Sequence, residues 1–133
     1  AIFAAAVSDI KPKKFKNLKI KKDKLKNIML IKNPDIIKNV SLNKKNRPQL
    51  IIGFALETDN KINNSLIKIE SKQCDWILAN KLNKKNQVFG SDFNKITLIT
   101  KEKIKKFNKM TKVNVSKKIV EEIVKYFDLK SKS

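Results

Sequence analysis

Four short apolar runs punctuate the chain: "IFAAAV" (2–7), "NIMLIKN" (27–33), "QLIIGFA" (49–55) and "DWILAN" (75–80). Their brevity and spacing constrain the fold more than any other feature. Runs of this length, apolar almost throughout, suit strands covered on both faces, as in a parallel sheet. A different rhythm fills the gaps. Ile62, Leu66 and Ile69 fall at i, i+4 and i+7, which predicts a helix over 60–73 with one apolar face. Asn33-Pro34-Asp35 predicts a helix start, with Asn33 capping, Pro34 at the first helical position and Asp35 in the first turn. That helix is expected to reach about Lys45. Within "VFGSDFNKITLIT" (88–100), a Gly-Ser-Asp turn precedes a strand alternating through Ile96, Leu98 and Thr100. A last helix is expected over about 116–128, capped by Ser116, with Ile119, Ile123 and Phe127 on one side. Strands alternating with helices give an α/β fold with a mostly parallel sheet. The 133 residues, 41% of them hydrophobic, suit a single domain.

Charge is the second constraint. The formal net charge is +20, and "DIKPKKFKNLKIKK" (9–22) alone holds seven lysines. Such a balance attracts nucleic acid, anionic membrane or phosphorylated ligands. Yet Arg47 is the only arginine, and lysine, isoleucine and asparagine make up roughly half the chain. All three have A/T-rich codons, so codon bias explains the charge equally well. Dedicated nucleic-acid readers favour arginine for bidentate contacts. Each lysine must therefore be judged by its position.

Several chemistries are excluded. Without histidine there is no Ser-His-Asp triad and no His-ligated zinc. The single cysteine, Cys74, allows no disulfide framework and points to a reducing, cytoplasmic compartment. No apolar run is long enough to span a bilayer. No Walker-type or Gly-x-Gly-x-x-Gly loop is present. The chain opens on an apolar run without Met, so a C-terminal portion of a longer domain is expected.

In open α/β sheets, ligands sit at the carboxyl ends of strands. That rule selects Asp9 after the first run, the turn from Asn33 to Ile37 after the second, Phe54, Glu57 and Thr58 at the third, and Asn80 at the fourth. Each also has a plain structural reading. The turn at 33–37 offers backbone N–H groups to an anion, or is an ordinary helix start. Phe54 stacks on a base, or belongs to the core. Lys68 and Lys72, at i and i+4, repel one another mildly unless an anion lies between them; otherwise they form a solvated face. Lys19, Lys21 and Lys22 alternate with Ile20 in an extended segment, with the same two readings. Asp9 holds a ligand, or caps a turn. Cys74 reads as a small core residue.

Taken in order, "AAAVSDIKP", "KIKK", "NPDII", "GFALET", "DWILAN" and "FGSDFNKITLI" resemble the bacterial phosphopantothenate–cysteine ligase family. The resemblance is close over about residues 1–100 and looser through the last helix. It implies a Rossmann-like domain whose N-terminal part, with a glycine-rich turn and a functional asparagine, lies outside this sequence. It also implies a reaction of coenzyme A synthesis. CTP activates the carboxylate of 4′-phosphopantothenate as an acyl-cytidylate, and cysteine then displaces CMP. Mg2+ accompanies the triphosphate, with ligands unassigned. FMN is implied only where a decarboxylase half precedes the ligase.

Residue by residue, the resemblance makes Lys19 the catalytic lysine on a flap over the site. It makes Phe3, Ala4, Ala5, Asp9, Lys19, Phe54, Lys68 and Lys72 CTP-binding positions, and Pro34, Asp35, Ile36 and Ile37 the segment that reads cytosine. It implies small-molecule partners, neither nucleic acid nor membrane, and a homodimer. Lys81 stands where the family commonly has an acidic residue, and Leu56 where it has alanine. Two rival readings accompany it: a basic α/β nucleic-acid-binding module, and a ligase fragment without activity of its own.

Overall fold

In the computed structural model, residues 1–14, 27–57, 61–81 and 91–132 are described. The central sheet contains β1 (Ile2–Phe3), β4 (Ile52–Glu57), β5 (Trp76–Lys81), β7 (Ile96–Ile99) and β8 (Ile104–Lys106), in the order β1-β4-β5-β7-β8. Strands β1, β4 and β5 are parallel, β7 is antiparallel to β5, and β8 is antiparallel to β7. All but β7 therefore run one way, giving the expected α/β sheet, mostly parallel.

Helices flank both faces. On one side lie α1 (Ile36–Leu42) and α2 (Lys61–Lys72), and on the other α3 (Lys112–Ser131). Strand alternation sorts the core accordingly. Ile51, Ala55, Ile77 and Ala79 face α1 and α2, where Ile37, Val40, Ile62, Leu66 and Ile69 meet them. Ile52, Trp76, Leu78, Ile96 and Leu98 face α3, meeting Val115, Ile119, Ile123 and Tyr126. Ile69 and Ile77 are fully buried, and each such side chain is worth about 1.5–3 kcal/mol over an exposed one. That burial holds α2 in place, because Asn63 and Asn64 are poor helix formers.

Several expectations need correction. The run 2–7 is a strand only at Ile2–Phe3; Ala4 to Val7 are exposed, so it is not a buried central strand. The run 27–33 does not enter the main sheet. Its strand β3 (Leu30–Lys32) pairs antiparallel with β2 (Ile10–Pro12) in a separate ribbon whose strands are exposed. Asp35, not Asn33, caps α1, and its carboxylate accepts the Lys38 N–H at 3.1 Å. The helix stops at Leu42 rather than Lys45. Strand β7 is buried on both faces instead of alternating. Thr111, not Ser116, caps α3; Ser116 lies inside the helix and donates to the Val113 carbonyl at 2.7 Å. Thr111 belongs to β9 (Met110–Thr111), which pairs with β6 (Phe93–Asn94), so a strand feeds directly into the helix.

Among the described residues, no helix is long and apolar enough to cross a membrane.

Candidate functional site

The ribbon base builds one end of the site. Antiparallel pairing of β2 with β3 sets Ile10 opposite Lys32, which brings the flanking Asp9 and Asn33 together. The Asn33 N–H donates to the Asp9 carbonyl at 2.9 Å, and Asn33 Nδ2 donates to the Ser8 carbonyl at 2.8 Å. Asn33 thus clamps the segment around Asp9 to the start of the 34–37 turn. The Asp9 side chain is exposed.

From that clamp the chain passes through Pro34 to Asp35. One Asp35 oxygen caps α1, and the other meets Lys72 Nζ at 3.2 Å. Partial burial raises the Asp35 pKa, but the Lys38 N–H and the Lys72 ammonium outweigh it and hold the carboxyl below its usual range. Asp35 is therefore anionic through the neutral range. Ile36 is exposed, whereas Ile37 turns inward onto the sheet beside Gly53.

Asn33 and Asp35 thus link Asp9, the 33–37 turn and Lys72 across the chain. Their placement differs from the sequence expectation of strand tips meeting at the carboxyl ends. Lys72 ends α2, and α2 returns the chain to the start of β5, so Lys72 lies toward the amino end of the parallel strands. Lys68, one turn earlier, is half-buried. Phe3 packs against the core beneath α1 and α2, while Ala4 and Ala5 are exposed just after it.

Phe54 does not join this group on the same face. Alternation along β4 turns it to the side of Ile52, the α3 side, where it is 42% exposed. It is not a core residue, and the sheet separates it from Ile37. Lys19, Lys21, Lys22 and Thr58 lie outside the described residues.

A cavity of about 640 Å³ opens at the other side of the amino edge, lined among others by Arg47, Gln73, Asp75, Trp76, Lys101 and Tyr126. Arg47 and Asp75 within it are engaged with one another and with the backbone. Arg47 donates to Asp75 at 2.9 Å, to the Gln73 carbonyl at 3.2 Å and to the Pro48 carbonyl at 3.0 Å. The second Asp75 oxygen accepts the Ile51 N–H at 2.7 Å. This network fixes the entries to β4 and β5, and we assign it to structure. Cys74 beside it is buried, and burial pushes its thiol pKa up, away from nucleophilic use.

Sequence reasoning missed the Asp35–Lys72 contact and the Asn33 clamp. Both join residues far apart in the chain, and no local pattern announces them. Mg2+ usually binds through one or two carboxylates plus substrate phosphates. The exposed Asp9 carboxylate is a hard oxygen donor of that kind, whereas both Asp35 oxygens are engaged, by the Lys38 N–H and by Lys72.

The family profile of the DNA/pantothenate metabolism flavoprotein C-terminal domain matches residues 1–127. The coenzyme A biosynthesis bifunctional protein CoaBC of Borreliella burgdorferi is 43% identical over 122 residues, covering 90% of this chain and 30% of that protein. A cysteine/cysteine sulfinic acid decarboxylase of an unknown prokaryotic organism is 36% identical over 125 residues, covering 93% of this chain and 35% of that protein. The chain thus spans about a third of the length of these curated relatives. Among solved structures, the crystal structure of the C-terminal domain of CoaBC superimposes with a TM-score of 0.69 at 27% identity, over 93% of this chain and 52% of that one. On this evidence the chain belongs to the DNA/pantothenate metabolism flavoprotein C-terminal domain family.

Proposed function

We propose that the chain forms the nucleotide-holding part of a CTP-dependent phosphopantothenate–cysteine ligase of coenzyme A synthesis. The 4′-phosphopantothenate carboxylate would attack the α-phosphorus of CTP, forming an acyl-cytidylate and expelling pyrophosphate. The cysteine amine would then attack the acyl carbon, releasing CMP and a proton. This chemistry needs no histidine and no covalent protein nucleophile. It needs two anions held against one another and the charge of the departing pyrophosphate neutralised.

The observation that supports this reading most is the Asp35–Lys72 contact at 3.2 Å. Two positions that the resemblance gives to one nucleotide, Asp35 in the cytosine-reading segment and Lys72 among the further CTP-binding residues, meet in space. In this reading the 34–37 turn reads cytosine, Lys68 and Lys72 meet the phosphates, and Lys19 is the catalytic lysine. Asp9 would help to hold Mg2+, which supplies charge neutralisation on the triphosphate. Phe3, Ala4 and Ala5 would complete the walls on this face of the sheet. The relatives' names, coenzyme A biosynthesis protein in one case and CoaBC C-terminal domain in another, point the same way.

A homodimer belongs to the same proposal. The ribbon β2–β3 exposes Ile10, Met29 and Leu30, each at least half accessible, and a second copy would cover them.

The test is turnover in the full-length protein. Lys19→Gln is expected to abolish phosphopantothenoylcysteine formation from CTP while the fold stays intact by circular dichroism. Normal turnover in that variant would refute the assigned role.

A further inference from the structure

We infer that Asp35 is the positioning residue of Lys72, fixing its ammonium for the outer phosphates of a nucleoside triphosphate. The inference rests on the nucleotide reading above and adds a role to a residue otherwise expected only to read the base.

The geometry divides the Asp35 carboxylate between two tasks. Oδ1 accepts the Lys38 N–H at 3.1 Å and so is locked to the first turn of α1. Oδ2 faces Lys72 Nζ at 3.2 Å. The cap bond ties the carboxylate to α1, and α1 is seated by Ile37 against Gly53. Lys72 has a flexible four-carbon stem, and fixing such a side chain costs up to about 2 kcal/mol of rotamer entropy. The contact with Asp35 meets part of that cost on folding instead of on ligand binding. An ammonium has three donors; Asp35 uses one, so two can face a phosphate. The turn and the lysine then act as one rigid unit, with a set distance between base and outer phosphates.

The opposite sign is also physical. A carboxylate beside the lysine competes with phosphate for it, and its removal would then tighten binding. The experiment separates these outcomes. Asn caps a helix as well as Asp does, so Asp35→Asn keeps the α1 start and removes the ion pair. Asp35→Ser serves as a second cap-retaining variant. CTP and CMP are titrated by calorimetry into full-length wild-type protein, Asp35→Asn, Asp35→Ser, Lys72→Gln and the Asp35→Asn/Lys72→Gln double variant, with Mg2+ present and urea midpoints measured in parallel.

The expected result is that Asp35→Asn weakens CTP roughly five- to tenfold more than CMP, with the urea midpoint unchanged. The double variant should be no weaker than Lys72→Gln, as for residues acting through one another. Unchanged or tighter CTP binding in both Asp35 variants would overturn the inference, as would simple addition of the two effects. Wild-type protein that binds no CTP would overturn the nucleotide reading and this inference with it; coupling that is absent while wild-type CTP binding is intact overturns the inference alone.

Discussion

Ile37 rests on Gly53: a methyl group at Gly53 would stand 3.3 Å from Ile37 Cδ1 and 3.0 Å from Ile77 Cδ1. The turn expected to read cytosine is therefore seated on β4 by the lack of one side chain. Gly53→Ala pushes on both isoleucines. Overpacking of this kind costs roughly 1–3 kcal/mol, offset by about 0.5–1 kcal/mol because Ala loses less entropy than Gly in a strand. A net destabilisation of about 1 kcal/mol is expected in urea unfolding, together with weaker CTP binding as Ile37 shifts. A stabilised variant with unchanged affinity would show that α1 does not depend on this close approach.

Glu122 on α3 is only 5% exposed, yet Lys105 lies 2.7 Å from it, Lys103 3.5 Å and Lys125 3.6 Å. The pair with Lys105 ties α3 to the edge strand β8. The Lys105 hydrogen bond holds the Glu122 pKa down against the opposing effect of burial, helped by the charges of Lys105, Lys103 and Lys125. A depressed carboxylate contributes stability that is complete above its unfolded value, about 4.3, and is lost as pH falls through the lower folded value. Glu122→Gln should cost on the order of 1–3 kcal/mol at pH 7, and the difference from wild type should shrink below about pH 4. Urea unfolding at several pH values measures this. Glu121, exposed and paired with Lys118 at 2.8 Å, is the control, since exposed pairs contribute little. Equal losses in the two variants would contradict the buried-anchor account.

The legible parts of the fold are those whose signal is local. Strand β5 is a continuous apolar run after Asp75, and α2 is read directly from Ile62, Leu66 and Ile69. Pairing is not local. The run around Leu30 is as apolar as β5 but joins Ile10–Pro12 in an exposed ribbon, because an apolar run does not name its partner. Strand β8, Ile-Lys-Lys and exposed, has no periodic pattern to reveal it. Ser116 resembles a cap, but the strand β9 delivers Thr111 first. In the site, Asp9 and Lys72 stand out by residue type and resemblance. Their link through Asn33 and Asp35 depends on how the ribbon and α2 fold back, which composition and spacing do not encode. Phe54 shows the limit from the other side: one step of strand alternation sends it to the α3 face.

This basic α/β domain is expected to select a cytidine nucleotide rather than polyanions in general. Equilibrium binding of CTP and ATP with Mg2+, at low and high salt, tests it most directly. The expected result is a CTP preference of roughly tenfold or more, a difference of about 1.4 kcal/mol, which is retained at high salt and lost when Pro34 to Ile37 are replaced by glycine and serine. Equal affinity for the two nucleotides, falling steeply with salt as counterion release requires, would contradict the claim and place the chain among nucleic-acid binders.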